Sequence, residues 1–185
     1  MGKHIYEGTH VEMASDCSQV AIPIASPIAA NRTARHARPT RFSLSELDLF
    51  RGIPKEEIRL LERLIESFEF AAGQTVVREG DDAHFVFIVA KGSASIFINL
   101  GDGTKRRVGS VGPGSSFGEM ALLEGGRRSA DGVADEKLIC YGFPVGQFLA
   151  LAKERPGLHA AILSNLVRGL SDRLRLANQE IRALE

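Results

Sequence analysis

The spacing of hydrophobic and polar positions changes twice along the chain. Ile58, Leu61, Leu64, Ile65 and Phe68 trace one apolar stripe at helical spacing. Ser43 and Glu46 match a capping box at the start of a preceding helix, with order expected from Phe42 onward. Pro54 suits the first turn of the striped helix, and Glu56 and Glu57 favour its positive end. Beyond Phe70 the rhythm shortens. β-rich runs are predicted at residues 75–77, 85–89, 93–100, 107–111 and 137–143, with glycines between them where the chain can turn sharply. Gly101-Asp102-Gly103 reads as a hairpin turn. Short strands this close together, with no helices between them, predict an antiparallel sandwich or roll.

Helical spacing returns at residues 145–153 and again from Pro156 to about Leu184. In the second of these, Leu163, Val167, Leu170, Leu174, Ala177, Ile181 and Leu184 alternate steps of four and three, the heptad seam of a left-handed coiled coil. A small roll covers only the first turns of so long a helix. The rest of the seam calls for a partner, either a second copy in a parallel homodimer or another domain.

Composition narrows the picture. Lys plus Arg and Asp plus Glu both total 23, so no global field recruits nucleic acid or an acidic membrane, and any anion must be held locally. Cys17 and Cys140 fit no metal-binding or redox spacing and read as free thiols in a reducing cytoplasm. No apolar run reaches membrane-span length. The mildly apolar segment 20–30 is broken by Pro23 and Pro27 and preceded by Glu12 and Asp16, unlike a secretory leader. Residues 1–41 lack periodicity and read as a flexible or disordered arm, with the basic cluster Arg32, Arg35, His36, Arg38 and Arg41 on a solvated tether. The five histidines are scattered, and neither a nucleophile motif nor a paired acid and base is visible. No enzyme activity, catalytic residue, metal or cofactor is expected.

The candidate chemistry lies in residues 117–134, FGEMALLEGGRRSADGVA. A cyclic ribose phosphate carries one charge that it cannot shed, so it needs a cation and aimed N–H donors in shelter. Arg128 offers a planar, permanently charged fork. Gly118 permits close backbone approach, and a turn over Glu119, Met120 and Ala121 can present successive N–H groups as an anion nest. Glu119 makes sense beside an anion only if it accepts a hydrogen bond from a ribose hydroxyl while a cation offsets its charge. Ser129 adds a hydroxyl donor.

This segment resembles the phosphate-binding cassette of the cyclic-nucleotide-binding domains of the catabolite-activator and protein-kinase-A regulatory families. Phe-Gly-Glu, Ala121, Leu122 and Arg128-Ser129-Ala130 carry the match, together with glycine turns at Gly73, Gly80, Gly92 and Gly114. The chain is also similar to the domains appended to some bacterial sulfate transporters and glutaminases. The resemblance spans residues 42–185 and implies a mainly β fold with flanking helices. That fold is an antiparallel, jelly-roll-like β-roll with N-terminal helices and a long C-terminal helix, residues 156–185, acting as lid and dimerisation element. It implies cAMP as ligand, with cGMP the other candidate. Glu119 would take the ribose hydroxyl and Arg128 the cyclic phosphate, Gly118 and Ala121 would supply N–H groups, and Ser129 a phosphate or base contact. Arg173 and Leu174 fall near the base, although Arg173 could equally lie on the dimer surface.

Two departures from the family pattern stand out. Arg127 occupies a usual proline position and is expected to face solvent or Glu124. Gly132 replaces a β-branched residue, so the strand after the cassette is expected to be weak or bulged. The implied protein is a cytoplasmic sensor that couples ligand binding to movement of its last helix and acts on a fused or associated effector. No DNA-binding module or membrane span is expected within this chain. The alternative is a degenerate roll that binds no nucleotide and serves only as a dimerisation module.

Overall fold

The computed structural model describes residues 43–183 and the backbone of residues 35 and 36. Two sheets face one another, both antiparallel throughout. The five-stranded sheet runs β1 (Arg35–His36), β2 (Glu66–Phe70), β9 (Leu138–Pro144), β4 (Phe85–Lys91), β7 (Ser116–Phe117). The four-stranded sheet runs β3 (Thr75–Val77), β8 (Asp131–Ala134), β5 (Ala94–Asn99), β6 (Lys105–Val111). The helices are α1 (Lys55–Glu62), α2 (Met120–Glu124), α3 (Val145–Glu154) and α4 (Pro156–Arg182). A β-roll with flanking helices and a long last helix is the architecture that the sequence implied.

Alternation along β4 and β9 explains how the layers adhere. Val86, Ile88 and Ala90, with Ile139, Tyr141 and Phe143, face one way and form a core with residues of α1, α3 and α4. Phe85 and Phe87 face the other way. There they meet Phe68, Phe70 and Phe117, with ring centroids between 5.2 and 6.2 Å apart for the contacts of Phe87 and Phe85 with this group. Both faces of these strands are buried, so their sequences read as nearly unbroken apolar runs.

The expected first helix is replaced by two 3₁₀ turns, Leu44–Glu46 and Asp48–Phe50. Ser43 makes no side-chain cap; its hydroxyl meets that of Ser45 instead. The buried residues Leu44, Leu47 and Phe50 recur every three positions, the period of a 3₁₀ turn, in which i and i+3 eclipse. Pro54 caps α1 from outside its first turn, and α1 ends at Glu62. Leu64 and Ile65 follow the helix, and Phe68 belongs to β2, where it pairs with Cys140. The stripe therefore ran through a helix, a turn and a strand. Within the stretch read as an unstructured arm, Arg35–His36 pairs with Glu69 and Phe68 at the sheet edge. The remainder of residues 1–42 lies outside the described residues, as does Cys17.

Strand β8 forms despite Gly132, which pairs with Ile96 on one side and Val77 on the other. The irregularity falls on the neighbouring strand, between Thr75 and Val77. A Cβ at Gly132 would lie 3.0 Å from Val77 Cγ2 and 3.2 Å from Phe117 Cε2, so the missing side chain leaves room for the aromatic cluster.

The long helix α4 has an anchored half and a free half. Leu158, Ile162 and Leu166 are buried against the core. The amide of Asn165 donates to the carbonyls of Leu49 and Arg51, each at 3.0 Å, and so closes the anchored half onto the second 3₁₀ turn. Beyond it Val167, Leu174 and Ile181 of the heptad seam are exposed in the single chain. Gly169 lies in this second half with open space where a Cβ would project. Its lack of a side chain costs helix stability with no packing return, so Gly169→Ala is expected to raise unfolding free energy by about 1 kcal/mol. Urea denaturation checks this; an unchanged or lower midpoint would contradict it.

Candidate ligand-binding site

The cassette is built around a buried guanidinium. Arg128 is only 6% exposed, although its charge is permanent at neutral pH. Backbone bonds fix its segment to the β3–β4 connection: Arg128 N–H donates to Asp81 O and Gly80 N–H to Arg128 O, both at 2.8 Å. Its Nη1 donates to Gly118 O at 2.9 Å and its Nη2 to Phe85 O at 2.6 Å. The guanidinium carbon sits 5.9 Å from the Phe87 ring centroid. These partners are neutral dipoles. Burial pulls the Arg128 pKa down to about 10, with the Glu119 and Asp81 carboxylates opposing that shift through space. The group remains a cation, and the remaining N–H donors of its fork stay available for an anion.

Gly118 makes this possible. It adopts φ +78°, and a Cβ there would lie 2.1 Å from Arg128 Nη1. Only glycine lets the chain turn left-handed while the guanidinium passes beneath it. The turn leads into α2, whose Leu122 and Leu123 N–H groups bond to Glu119 O. The N–H groups of residues 120 and 121 lie in the first turn of α2, ahead of any intrahelical acceptor.

Glu119 is the second buried charge, 2% exposed. Its Oε1 pairs with Arg173 Nη2 at 2.8 Å. Among the described residues its Oε2 is buried without a hydrogen-bond partner. An unsatisfied buried carboxylate oxygen is costly, and a hydroxyl donor arriving in the cavity would relieve it.

These groups border a cavity of about 270 Å³. Gly118, Glu119, Met120, Arg128, Ser129 and Arg173 line it. An aliphatic wall adds Val77 of β3, Ile96 and Ile98 of β5, and Val108 of β6. The arrangement suits a ligand with a compact anionic end and a flat apolar end. Ser129 is exposed, its hydroxyl 3.5 Å from Met120 Sδ, a weak contact that leaves it free to reorient.

Six of the residues singled out in the sequence thus converge on one cavity, and Ala121 contributes the second residue of α2. Leu174 does not line the cavity; it is 63% exposed on the seam face of α4. Arg173 does reach the cavity, but it is engaged by the Glu119 carboxylate. Arg127 faces solvent, the first of its two expected placements, and lies near Asp82 at 3.8 Å and the Gly80 carbonyl at 3.3 Å rather than Glu124. The aliphatic wall and Asp131 were missed. Ile96 and Ile98 share a face by period two, but nothing in linear order joins them to Val77 and Val108.

Known proteins share this family and this fold. The sequence model of the Cyclic nucleotide-binding domain matches residues 67–155. Residues 67–155 belong to the cyclic nucleotide-binding domain family. Glutaminase 2 of Bradyrhizobium diazoefficiens is 33% identical over 138 residues, covering 75% of this chain and 21% of that protein. The Cyclic AMP receptor protein of Thermus thermophilus is 32% identical over 133 residues, covering 72% and 60% respectively. The chain therefore spans less than two thirds of either relative. A cyclic nucleotide-binding domain from Methylobacillus flagellatus superposes with a TM-score of 0.68 at 22% identity, covering 77% of this chain and 80% of that one, which supports the fold.

The cassette geometry gives a paired test. Gly125 also has positive φ, +66°, but open space at its Cβ position. Gly125→Ala is expected to cost only the backbone penalty of about 1–2 kcal/mol. Gly118→Ala pays that and displaces Arg128 as well, so it should lower the melting temperature further. Equal effects in thermal unfolding would contradict the role given to Gly118.

Proposed function

We propose that this chain is a cyclic-nucleotide sensor, with cAMP the first ligand to consider and cGMP the second. The observation that carries this reading is the pair of buried opposite charges on one cavity: among the described residues Arg128 hydrogen-bonds to neutral carbonyls and Glu119 has one oxygen unpartnered. Arg128 and the N–H groups of residues 118–121 take the cyclic phosphate, Glu119 Oε2 accepts the ribose hydroxyl, and the aliphatic wall takes the base. Ser129 adds a hydroxyl to the phosphate or base. The relative named as a Cyclic AMP receptor protein and those named as cAMP-dependent protein kinase regulatory subunits support the choice of ligand.

The same carboxylate supplies the coupling. Arg173, from the free half of α4, is held by Glu119, the group that the ribose would engage. A ligand that redistributes the bonds of Glu119 has a different affinity for each helix position, which is the condition for shifting between them. Arg173 is adjacent to Leu174 of the seam, so movement at the pocket reaches the surface through which a parallel homodimer forms. In this reading the protein acts in the cytoplasm by binding, without catalysis, and passes its signal to a fused or associated effector. No helix among the described residues is long and apolar enough to cross a membrane.

Removing the fork removes charge-assisted bonds worth about 1.5–3 kcal/mol, so Arg128→Ala is expected to weaken cAMP binding roughly ten- to a hundredfold in calorimetry. Unchanged affinity would remove Arg128 from the site. If the unaltered chain shows no thermal shift with excess cAMP or cGMP, the reading fails in favour of a non-binding dimerisation roll. Leu174→Glu places a charge in the seam and is expected to convert dimer to monomer in sedimentation; an unaltered chain that is already monomeric would contradict the seam's role.

A further inference from the structure

Helix α4 runs unbroken from Pro156 to Arg182, yet its backbone is weakened at one place. Gly169 is a glycine in the helix interior, and no neighbour lies within 4 Å of the position its Cβ would take, so packing does not require it. Ser171 Oγ donates to Val167 O at 2.9 Å, and Arg173 Nε donates to Gly169 O at 3.4 Å. In a regular α-helix those two carbonyls accept the N–H groups of residues 171 and 173. The side chains of the same two residues therefore compete with the backbone ladder around Gly169. Back-bonding of this kind bends helices, and glycine–serine pairs are a recurrent place for kinks.

The weak stretch begins where the support ends. Leu166 is buried, and the Asn165 amide is tied to the carbonyls of Leu49 and Arg51. Beyond Arg173, residues 174–179 and 181–183 are all exposed. Arg173 spans the junction. Its Nη2 holds Glu119 Oε1 at 2.8 Å, while its Nε holds the Gly169 carbonyl. One guanidinium thus joins the carboxylate on the cavity to the weakest part of the helix.

We infer that α4 pivots at residues 167–171, with Gly169 as the hinge and Arg173 as the latch between hinge and cavity. The ligand-driven part of this rests on the cyclic-nucleotide reading. A hydroxyl bound by Glu119 shifts the carboxylate that Arg173 holds, and the strain falls on the Gly169 carbonyl rather than on the clamped residues before it. From Gly169 to Arg182 the helix rises about 20 Å. A bend of about 20° carries the far end of the seam roughly 7 Å, close to the spacing of packed helices. A modest pivot is therefore enough to part or close the seam.

The test is hydrogen–deuterium exchange of the full chain, free and saturated with cAMP, with calorimetry on every variant. Gly169→Ala/Ser171→Ala stiffens the hinge without touching the residues that line the cavity. In the free chain it is expected to slow exchange at residues 169–175 by about fivefold or more. In the unaltered chain cAMP is expected to change exchange across residues 169–183. In the double variant that response is expected to fall at least about threefold, while the ligand still protects residues 118–130. Asn178→Ala strengthens the helix outside the hinge and is expected to leave the cAMP response as it was. An undiminished response in the double variant, or an equal loss in Asn178→Ala, would overturn the hinge. A chain that binds cAMP with no change in exchange beyond Leu166 also overturns the hinge and leaves the cyclic-nucleotide reading standing. A chain that binds no cyclic nucleotide defeats that reading, and exchange in the free double variant then decides the hinge: no slowing at residues 169–175 overturns it.

Discussion

A guanidinium buried beneath a glycine is the constraint around which this fold is organised. Arg128 is held away from water by the Phe87 ring and by two carbonyls that belong to different elements, Gly118 ahead of α2 and Phe85 at the start of β4. Desolvating a cation is expensive, and dipoles offset that cost only where their geometry is fixed. The left-handed turn at Gly118, the space that Gly132 leaves for Phe117 and the bonds tying Arg128 to the β3–β4 connection all serve to fix it. The resulting charge is oriented by fixed dipoles at the edge of a cavity, and in the proposed reading it takes the cyclic phosphate.

Glu119 links this local chemistry to the long helix. Its two oxygens have different fates, one in an ion pair with α4 and one without a partner. Anchored through Leu166 and clamped by Asn165, α4 can respond to events at Glu119 only in its outer half, where the heptad seam lies. In the proposed reading, ligand contact, helix position and subunit contact meet at the neighbouring residues Arg173 and Leu174, with a coupling that is electrostatic at the pocket and apolar at the seam.

Much of this was legible in the sequence because the cassette is contiguous. Gly118, Glu119, Arg128 and Ser129 lie within a dozen residues, so their spacing alone pointed to an anion held by a fork and a nest. The strongly apolar strands β4 and β9 and the long last helix could be read for similar reasons. What escaped was set by sheet order. The aliphatic wall takes residues from β3, β5 and β6, and the Lys105–Asp131 pair spans two strands on either side of β5. Spacing of three hides a different ambiguity. Leu44, Leu47 and Phe50 fit a 3₁₀ turn as well as an α-helix, and burial against the sheet decides between them. Arg173 was expected near the ligand's base, and its guanidinium lies at the cavity, paired with Glu119, a partner that linear order does not reveal.

The account requires that Glu119 hold the sugar of the ligand. Comparing cAMP with 2′-deoxy-cAMP by calorimetry on the unaltered chain asks this of the ligand rather than of the protein. Deleting the hydroxyl leaves a buried carboxylate oxygen unsatisfied, so the deoxy compound is expected to bind at least about tenfold more weakly. Equal affinity for the two would contradict the account.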